Sequence, residues 1–289
     1  MSGALLSFSA MAVSIRVLGG ALSVLEILAV RSGFGLLVMA TLAGVRSDLR
    51  ATIFTRQLPL HVFRNTIHLG AQYLWAMTLL LLPLATVFAL EFTTPAWTLA
   101  LAVPVLGERL TASRIGAVAL GLIGTLVILR PGFATFRPAA LVVLAAAIGL
   151  AATLIATKKL TRTEPTFAII FWMNLIQLPL ALLGCDPLFL GKLGFSHVPA
   201  LVALAGAGLT SHYCLANAFR SGDATLVVPL DFMRIPLIAV VGWWLYREEL
   251  DPLVFMGAGL IVVGILWNLR SEALHPTVAA TQTGSSGPK

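Results

Sequence analysis

Residues 73–110 read YLWAMTLLLLPLATVFALEFTTPAWTLALAVPVLGERL, and residues 213–250 read YCLANAFRSGDATLVVPLDFMRIPLIAVVGWWLYREEL. The second stretch repeats the first. Tyr73-x-x-Ala76 returns as Tyr213-x-x-Ala216, Ala85-Thr86 as Ala224-Thr225, and Glu91-Phe92 as Asp231-Phe232. Glu108-Arg109-Leu110 returns as Glu248-Glu249-Leu250, Gly116-Ala117 as Gly257-Ala258, and Gly124 as Gly264. The shift stays between 139 and 141 residues, which argues for a duplicated unit rather than two stretches that are apolar by chance. If each copy crosses a bilayer an odd number of times, the second copy sits upside down. Inverted halves around a midplane site are the architecture of a secondary transporter.

Composition sets the solvent. Of 289 residues, 58% are hydrophobic and only 11% charged, with a mean hydropathy of +0.96. A soluble domain carries about 25% charged residues, so this chain has too little polar surface for water and is read as an all-α integral membrane protein. The net charge of +7 does not indicate nucleic acid, because the basic residues are scattered singly between apolar runs. Cys185 and Cys214 form no disulfide framework, no metal-ligand spacing is present, and no cofactor is expected. Met1 to Ile15 lack the pattern of a cleaved signal peptide, so the first apolar segment is expected to be a retained helix.

About 20 apolar residues cross the hydrocarbon core. The chain then gives ten spans, at 3–21, 24–45, 59–81, 84–105, 112–130, 138–156, 165–184, 198–217, 224–245 and 252–269. With both termini cytoplasmic, the inner side holds Arg46, Arg50, Arg56, Arg109, Arg114, Lys158, Lys159, Arg162, Arg220, Arg270 and Lys289. The outer side holds Arg16, Arg130, Arg137, Lys192 and Arg247. This bias satisfies the positive-inside rule for a multi-pass protein of a bacterial inner membrane. The expected organisation is a five-helix repeat over 1–130, a second inverted one over 138–270, and a disordered cytoplasmic tail at 271–289.

Charged groups inside spans cost about 2.5–3.5 kcal/mol each on insertion scales and need a reason. They are Arg31, Arg64, Glu91, Asp231 and Arg234, joined by His68 and His212. Depth suggests that Arg31 pairs with Glu91, and Arg64 with Asp231, for which Arg234 competes. Such groups either fix helix packing or bind substrate. Glu91, Asp231, His68 and His212 are the candidates for proton coupling. The position matching Arg31 in the second half holds Phe171 and Trp172, so the site is expected to be asymmetric, with a cation opposite aromatic rings.

Pro95 and Pro104 in span 4, and Pro229 and Pro236 in span 9, are expected to bend those helices, Pro95 freeing the carbonyl of Glu91. Trp75 and Trp97 are candidates for a cavity wall, whereas Trp243 and Trp244 suit an interfacial belt. Gly116, Gly121 and Gly124, then Gly257, Gly259 and Gly264, allow close helix approach in spans 5 and 10, as an internal seam or a homodimer face. Glu108 and Glu248 are expected to cap the helices that follow them.

The motifs Tyr73-x-x-Ala76, Leu82-Pro83-Leu84-Ala85, Pro95 and Leu106-Gly107-Glu108-Arg109-Leu110, with the looser Tyr246-Arg247-Glu248-Glu249-Leu250, resemble the repeat of the drug/metabolite transporter superfamily in its EamA-type branch. The resemblance covers nearly the whole chain. It implies a ten-span carrier with a central cavity, working by alternating access on small metabolites, often in efflux. It also implies that Asp231 and Arg234, where the family usually has apolar residues, are specificity determinants.

The function expected is therefore transport of a small polar or zwitterionic metabolite, with export of an amino-acid-like compound or an opine-like metal chelator first. Import of a vitamin such as riboflavin is the alternative. The candidate binding residues are Arg31, Arg64, Glu91, Asp231, Arg234, Trp75, Trp97, Tyr73 and Tyr213. A membrane-embedded enzyme or a non-transporting receptor fits less well: no nucleophile–base set is present, and sensing needs no inverted repeat.

Overall fold

The computed structural model describes residues 2–81, 87, 90–129, 138–233 and 252–274. Arg130, Arg234, Pro236, Trp243, Trp244, Tyr246, Glu248, Glu249 and the tail beyond 274 lie outside the described residues, as does the Ala85-Thr86 pair. All regular elements among the described residues are helices, with no strand. The helices are α1 (Ser2–Leu18), α2 (Val24–Val45), the short α3 (Ser47–Ala51), α4 (Leu58–Leu81) and α5 (Thr94–Leu106). They continue as α6 (Ala112–Leu129), α7 (Pro138–Leu160), α8 (Thr166–Leu182), α9 (Val198–Ser221), α10 (Ala224–Val227) and α11 (Pro252–Leu274). Three described helices, Val24–Val45, Ala139–Leu160 and Phe195–Ser221, are long and apolar enough by themselves to cross a membrane. α4 is as long as any, at 24 residues, but carries His61, Arg64, Asn65, His68 and Gln72 and is correspondingly less apolar.

Local signals explain the helix ends. Ser23 starts α2 with a capping box: its hydroxyl accepts from the Glu26 N–H, and its own N–H donates to the Glu26 carboxylate at 2.7 Å. Gly107 ends α5 at φ +70°, a left-handed conformation that glycine adopts without a Cβ penalty.

The fourth and ninth spans are not continuous α-helices. Helix at Leu90–Glu91 gives way to a turn at Phe92–Thr93 before α5 begins, with Pro95 in its first turn. In the matching place α10 gives way to a 3-10 segment, Val228–Met233, that contains Pro229 and Asp231. The Glu91 carbonyl that Pro95 was expected to free accepts the Thr94 hydroxyl at 2.6 Å, so the turn satisfies it locally.

The helices pair chiefly as α6 with α11, α4 with α7, α1 with α9, α2 with α8 and α5 with α7, and α5 also touches α10. Exchanging each span for the one five places away returns all of these pairs except α5 with α7. The glycines of α6 and α11 meet each other. A Cβ at Gly124 would lie 2.5 Å from the Gly257 carbonyl, and one at Gly264 would lie 3.0 Å from Leu120 and 3.4 Å from Ala117. The two contacts are reciprocal under the 140-residue shift. Of the two uses foreseen for these small residues, the described residues form the internal seam.

Candidate functional site

A cavity lies inside the bundle. Its wall includes Ile15 of α1, Val24 of α2, Arg64 of α4 and Thr157 of α7. Seven of the expected residues are on its wall: Arg31, Arg64, His68, Trp75, Glu91, His212 and Asp231. They come from five different spans and from both halves of the chain. Most of the remaining wall is aliphatic.

The expected ion pairs do not form among the described residues. Arg31 instead donates through Nη2 to Gln72 Oε1 at 3.0 Å and to Gln177 Oε1 at 2.8 Å. Arg64 donates through Nε to Thr157 Oγ1 at 2.9 Å and through Nη1 to Asn65 Oδ1 at 2.6 Å. The Glu91 carboxylate accepts the Trp75 indole N–H at 2.7 Å. Depth alone had suggested the pairs. The rotation of each residue about its helix axis, which depth does not contain, placed amide partners next to the guanidinium groups.

Gln177 organises the centre. An arginine only donates, so the amide oxygen of Gln177 faces Arg31 and its nitrogen faces His68 Nδ1, 2.9 Å away, and the Asn65 carbonyl, 3.3 Å away. His68 Nδ1 therefore accepts, and its ring proton sits on Nε2. The His68 ring meets His212 edge-on at a centroid distance of 5.0 Å. Sequence reading missed Gln72, Gln177, Asn65 and Thr157. The available signal was an uncharged polar side chain inside an apolar span, which also demands a partner in lipid.

Three candidates are placed elsewhere. Tyr73, Tyr213 and Trp97 do not line the cavity and are exposed, Tyr213 by 57%. The helical period explains this: His68, Gln72, Trp75 and Ala76 share the inward face of α4, and Tyr73 falls a hundred degrees beyond Gln72. Phe171 and Trp172 are likewise absent from the wall. The Trp172 indole donates to the Ile53 carbonyl at 2.9 Å and its ring lies 5.9 Å from that of His61. Arg234 lies outside the described residues.

One end of the bundle is tied across its halves. Glu108, just past α5, does not cap α6, the helix that follows it. Its carboxylate accepts the backbone N–H groups of Ala224 and Thr225, both at 2.9 Å, and the Thr225 hydroxyl at 2.7 Å. It thus caps α10 in the other half, where an anion also meets the positive end of a helix. Arg114 donates to Thr225 at 2.5 Å and to Asp223 at 3.1 Å. Lys158 Nζ donates to the carbonyls of Phe219 and Gly222, and Arg162 donates to the Leu106 carbonyl. At the opposite end Lys192 pairs with Glu26 at 2.9 Å and with Asp186 at 3.2 Å.

Comparison with known proteins follows the same division of the chain. The model of the EamA-like transporter family matches residues 1–130 and 137–270. An S-adenosylmethionine uptake transporter of Rickettsia felis is 27% identical over 221 residues, covering 76% of this chain and 75% of its own. A riboflavin transporter of Rhizobium johnstonii is 31% identical over 200 residues, covering 68% and 66%. The pseudopaline exporter CntI of Pseudomonas aeruginosa is 26% identical over 276 residues, covering 92% and 93%. A solved crystal structure superposes with a TM-score of 0.73 at 23% identity, over 94% of this chain and 98% of the other, and shows the same fold.

Proposed function

The chain belongs to the EamA-like transporter family, and on that premise we propose that it is a secondary carrier of a small polar or zwitterionic metabolite. The observation that carries this reading is the wall of the cavity: ionisable groups of both signs, from both halves, gathered inside apolar helices. Such groups are costly in a membrane and mark pathways for polar solutes. Arg31 and Arg64 present positive charge to the substrate, and Glu91 and Asp231 present negative charge. Glu91, held in place by the Trp75 indole, and Asp231 are the groups we assign to proton coupling, with His68 and His212 beside them.

Alternating access needs two halves that rock about the site. We read residues 1–130 and 138–270 as inverted repeats. Most of the helix pairs are unchanged when the halves are exchanged, which supports that reading. The end bearing Arg46, Arg114, Lys158 and Arg162 is assigned to the cytoplasm by the positive-inside rule. On that assignment the Glu108 cap and its neighbours lie on the inner side.

For direction we put export of an amino-acid-like compound first, because the exporter's match extends over 92% of the chain. Uptake of a vitamin such as riboflavin is the second reading, favoured by the 31% identity to a riboflavin transporter. Reconstitution into liposomes tests the proposal. Flux of S-adenosylmethionine, amino acids or riboflavin down an imposed gradient, with the compound recovered unchanged, is the expected result. Chemical conversion of the compound, or no flux above empty liposomes for any of them, overturns it.

A further inference from the structure

We infer that Arg31 and Arg64 together form the seat of a carboxylate on the substrate, so that the transported class is carboxylate-bearing, of amino-acid type. This rests on the cavity being the transport site. Both guanidinium groups line it and both are almost wholly buried, at 3% and 2% exposure. A buried cation is normally met by a carboxylate, because neutral dipoles satisfy its geometry without cancelling its charge. Here every acceptor is neutral: Gln72 and Gln177 for Arg31, Thr157 and Asn65 for Arg64.

The two cations also belong to one network. Gln177 accepts from Arg31 and donates to the backbone carbonyl of Asn65, whose side chain accepts from Arg64. Two like charges joined through amides repel one another and gain no ion pairing from the link. A purely structural arginine would be better placed against an acid. The arrangement suits an anion that arrives and leaves.

Donors remain for it. A guanidinium has five N–H groups, and Arg31 uses only Nη2, with Nε buried and unpartnered. The fork is also held in position. A Cβ at Gly208 would stand 3.1 Å from Arg31 Cδ, so the stem of the side chain packs tightly against this glycine. Glu91 and Asp231, on the same cavity, disfavour a multiply charged anion such as a phosphate ester and suit a molecule that also carries a cationic group. An α-amino acid head has both charges.

The test uses the full chain in lipid nanodiscs, with binding read by thermal unfolding and intrinsic fluorescence, and flux read separately in liposomes. The probes are the proteinogenic amino acids and S-adenosylmethionine, each beside its carboxamide, with riboflavin and sodium chloride as probes without a carboxylate. The expected result is that the compounds that bind are acids, and that the carboxamide of each binds at least tenfold more weakly. Arg31→Gln and Arg64→Gln should each remove that preference, and Arg31→Lys should restore part of it. If Arg31→Gln does not fold, the wild-type comparison of acid with carboxamide and the Arg31→Lys variant still decide. Equal binding of acid and carboxamide, tightest binding by riboflavin, a response to chloride alone, no binding by any acid, or an unchanged preference in Arg31→Gln would each overturn the inference. Arginine-dependent binding of acids without flux would instead sink the transport reading and leave the seat standing. Flux of a carboxylate-free compound, unchanged in Arg31→Gln, would do the reverse.

Discussion

Phe92 and Phe232 are repeat mates 140 residues apart, and their rings stack on each other with centroids 5.7 Å apart and planes 23° from parallel. On the proposed inverted-repeat reading, repeat mates touch only beside the twofold axis, which would then run next to the acids that precede each ring, Glu91 and Asp231. Both rings are buried, against Ile261, Ile265 and Leu122. Phe92→Ala or Phe232→Ala should lower stability by about 3–5 kcal/mol, as for other buried phenylalanines. The double variant should fall short of the sum by about 0.5–1.5 kcal/mol, the typical coupling of an aromatic pair. Strict additivity in detergent-unfolding measurements would show that the stack is incidental.

The seam between α6 and α11 makes a graded prediction. Gly124→Ala drives a methyl into the Gly257 carbonyl and should be destabilising, while Gly264→Ala meets side chain and backbone at 3.0 Å and 3.4 Å and should cost less. Gly259 has nothing within 4 Å, so Gly259→Ala should be neutral or slightly stabilising. Melting temperatures in one detergent give the order directly, and a loss at Gly259 equal to that at Gly124 contradicts the packing described.

Removing the cross-half cap should be felt in both stability and turnover. Glu108→Ala leaves the Ala224 and Thr225 N–H groups without their acceptor, a loss of about 1–2 kcal/mol by analogy with other caps. Because the cap joins the two halves at one end only, transport should slow or uncouple beyond what the stability change explains. Wild-type melting and wild-type flux in Glu108→Ala would remove the carboxylate from any gating role.

Trp75 and Trp97 should behave oppositely. Trp75→Phe deletes the indole N–H that holds Glu91 and should weaken substrate binding severalfold while quenching less on ligand addition. Trp97→Phe alters an exposed face outside the cavity and should leave both readings unchanged. Equal effects of the two substitutions would contradict the placement of the site.

The loop over 183–197 should have an acid and an alkaline limit. The Leu188 N–H, and after it Lys192, hold the Asp186 carboxyl below the usual carboxylate range. Hydrogen bonds to Glu26 and then Asp186 raise Lys192 above the usual lysine range. The Asp186 contribution is present at neutral pH and is lost as pH falls through its depressed value, below about pH 4. The Lys192 contribution is complete below about pH 10 and is lost as pH rises through its raised value. Corrected amide exchange in this loop should be flat between these limits, and Lys192→Met should erase the alkaline one. A steep change near neutrality would assign the loop's stability to other groups.

Two kinds of residue separated what could be read early from what could not. Glu91, Asp231, Arg31 and Arg64 announced themselves, since an ionisable group in an apolar run is expensive wherever it points. Their partners did not. Gln72, Gln177 and Asn65 are cheap enough to pass as ordinary span residues, yet they hold both arginines. Glu108 was expected to cap its own neighbour and caps α10 instead, because the competing helix start is brought close only by the association of the two halves.

The sequence by itself determined the membrane solvent, the duplicated unit, the family and the charges that had to be accommodated, because these follow from composition and from spacing along one chain. The tertiary structure alone decided which charges face one cavity, that amides rather than acids meet the arginines, and that Tyr73, Tyr213 and Trp97 face away. Those outcomes depend on the rotation of each helix about its axis and on contacts between residues more than a hundred positions apart, as from Arg31 to Gln177 and from Glu108 to Thr225. Hydropathy has a depth but no azimuth, so only the folded packing assigns a side chain to the cavity or to the lipid.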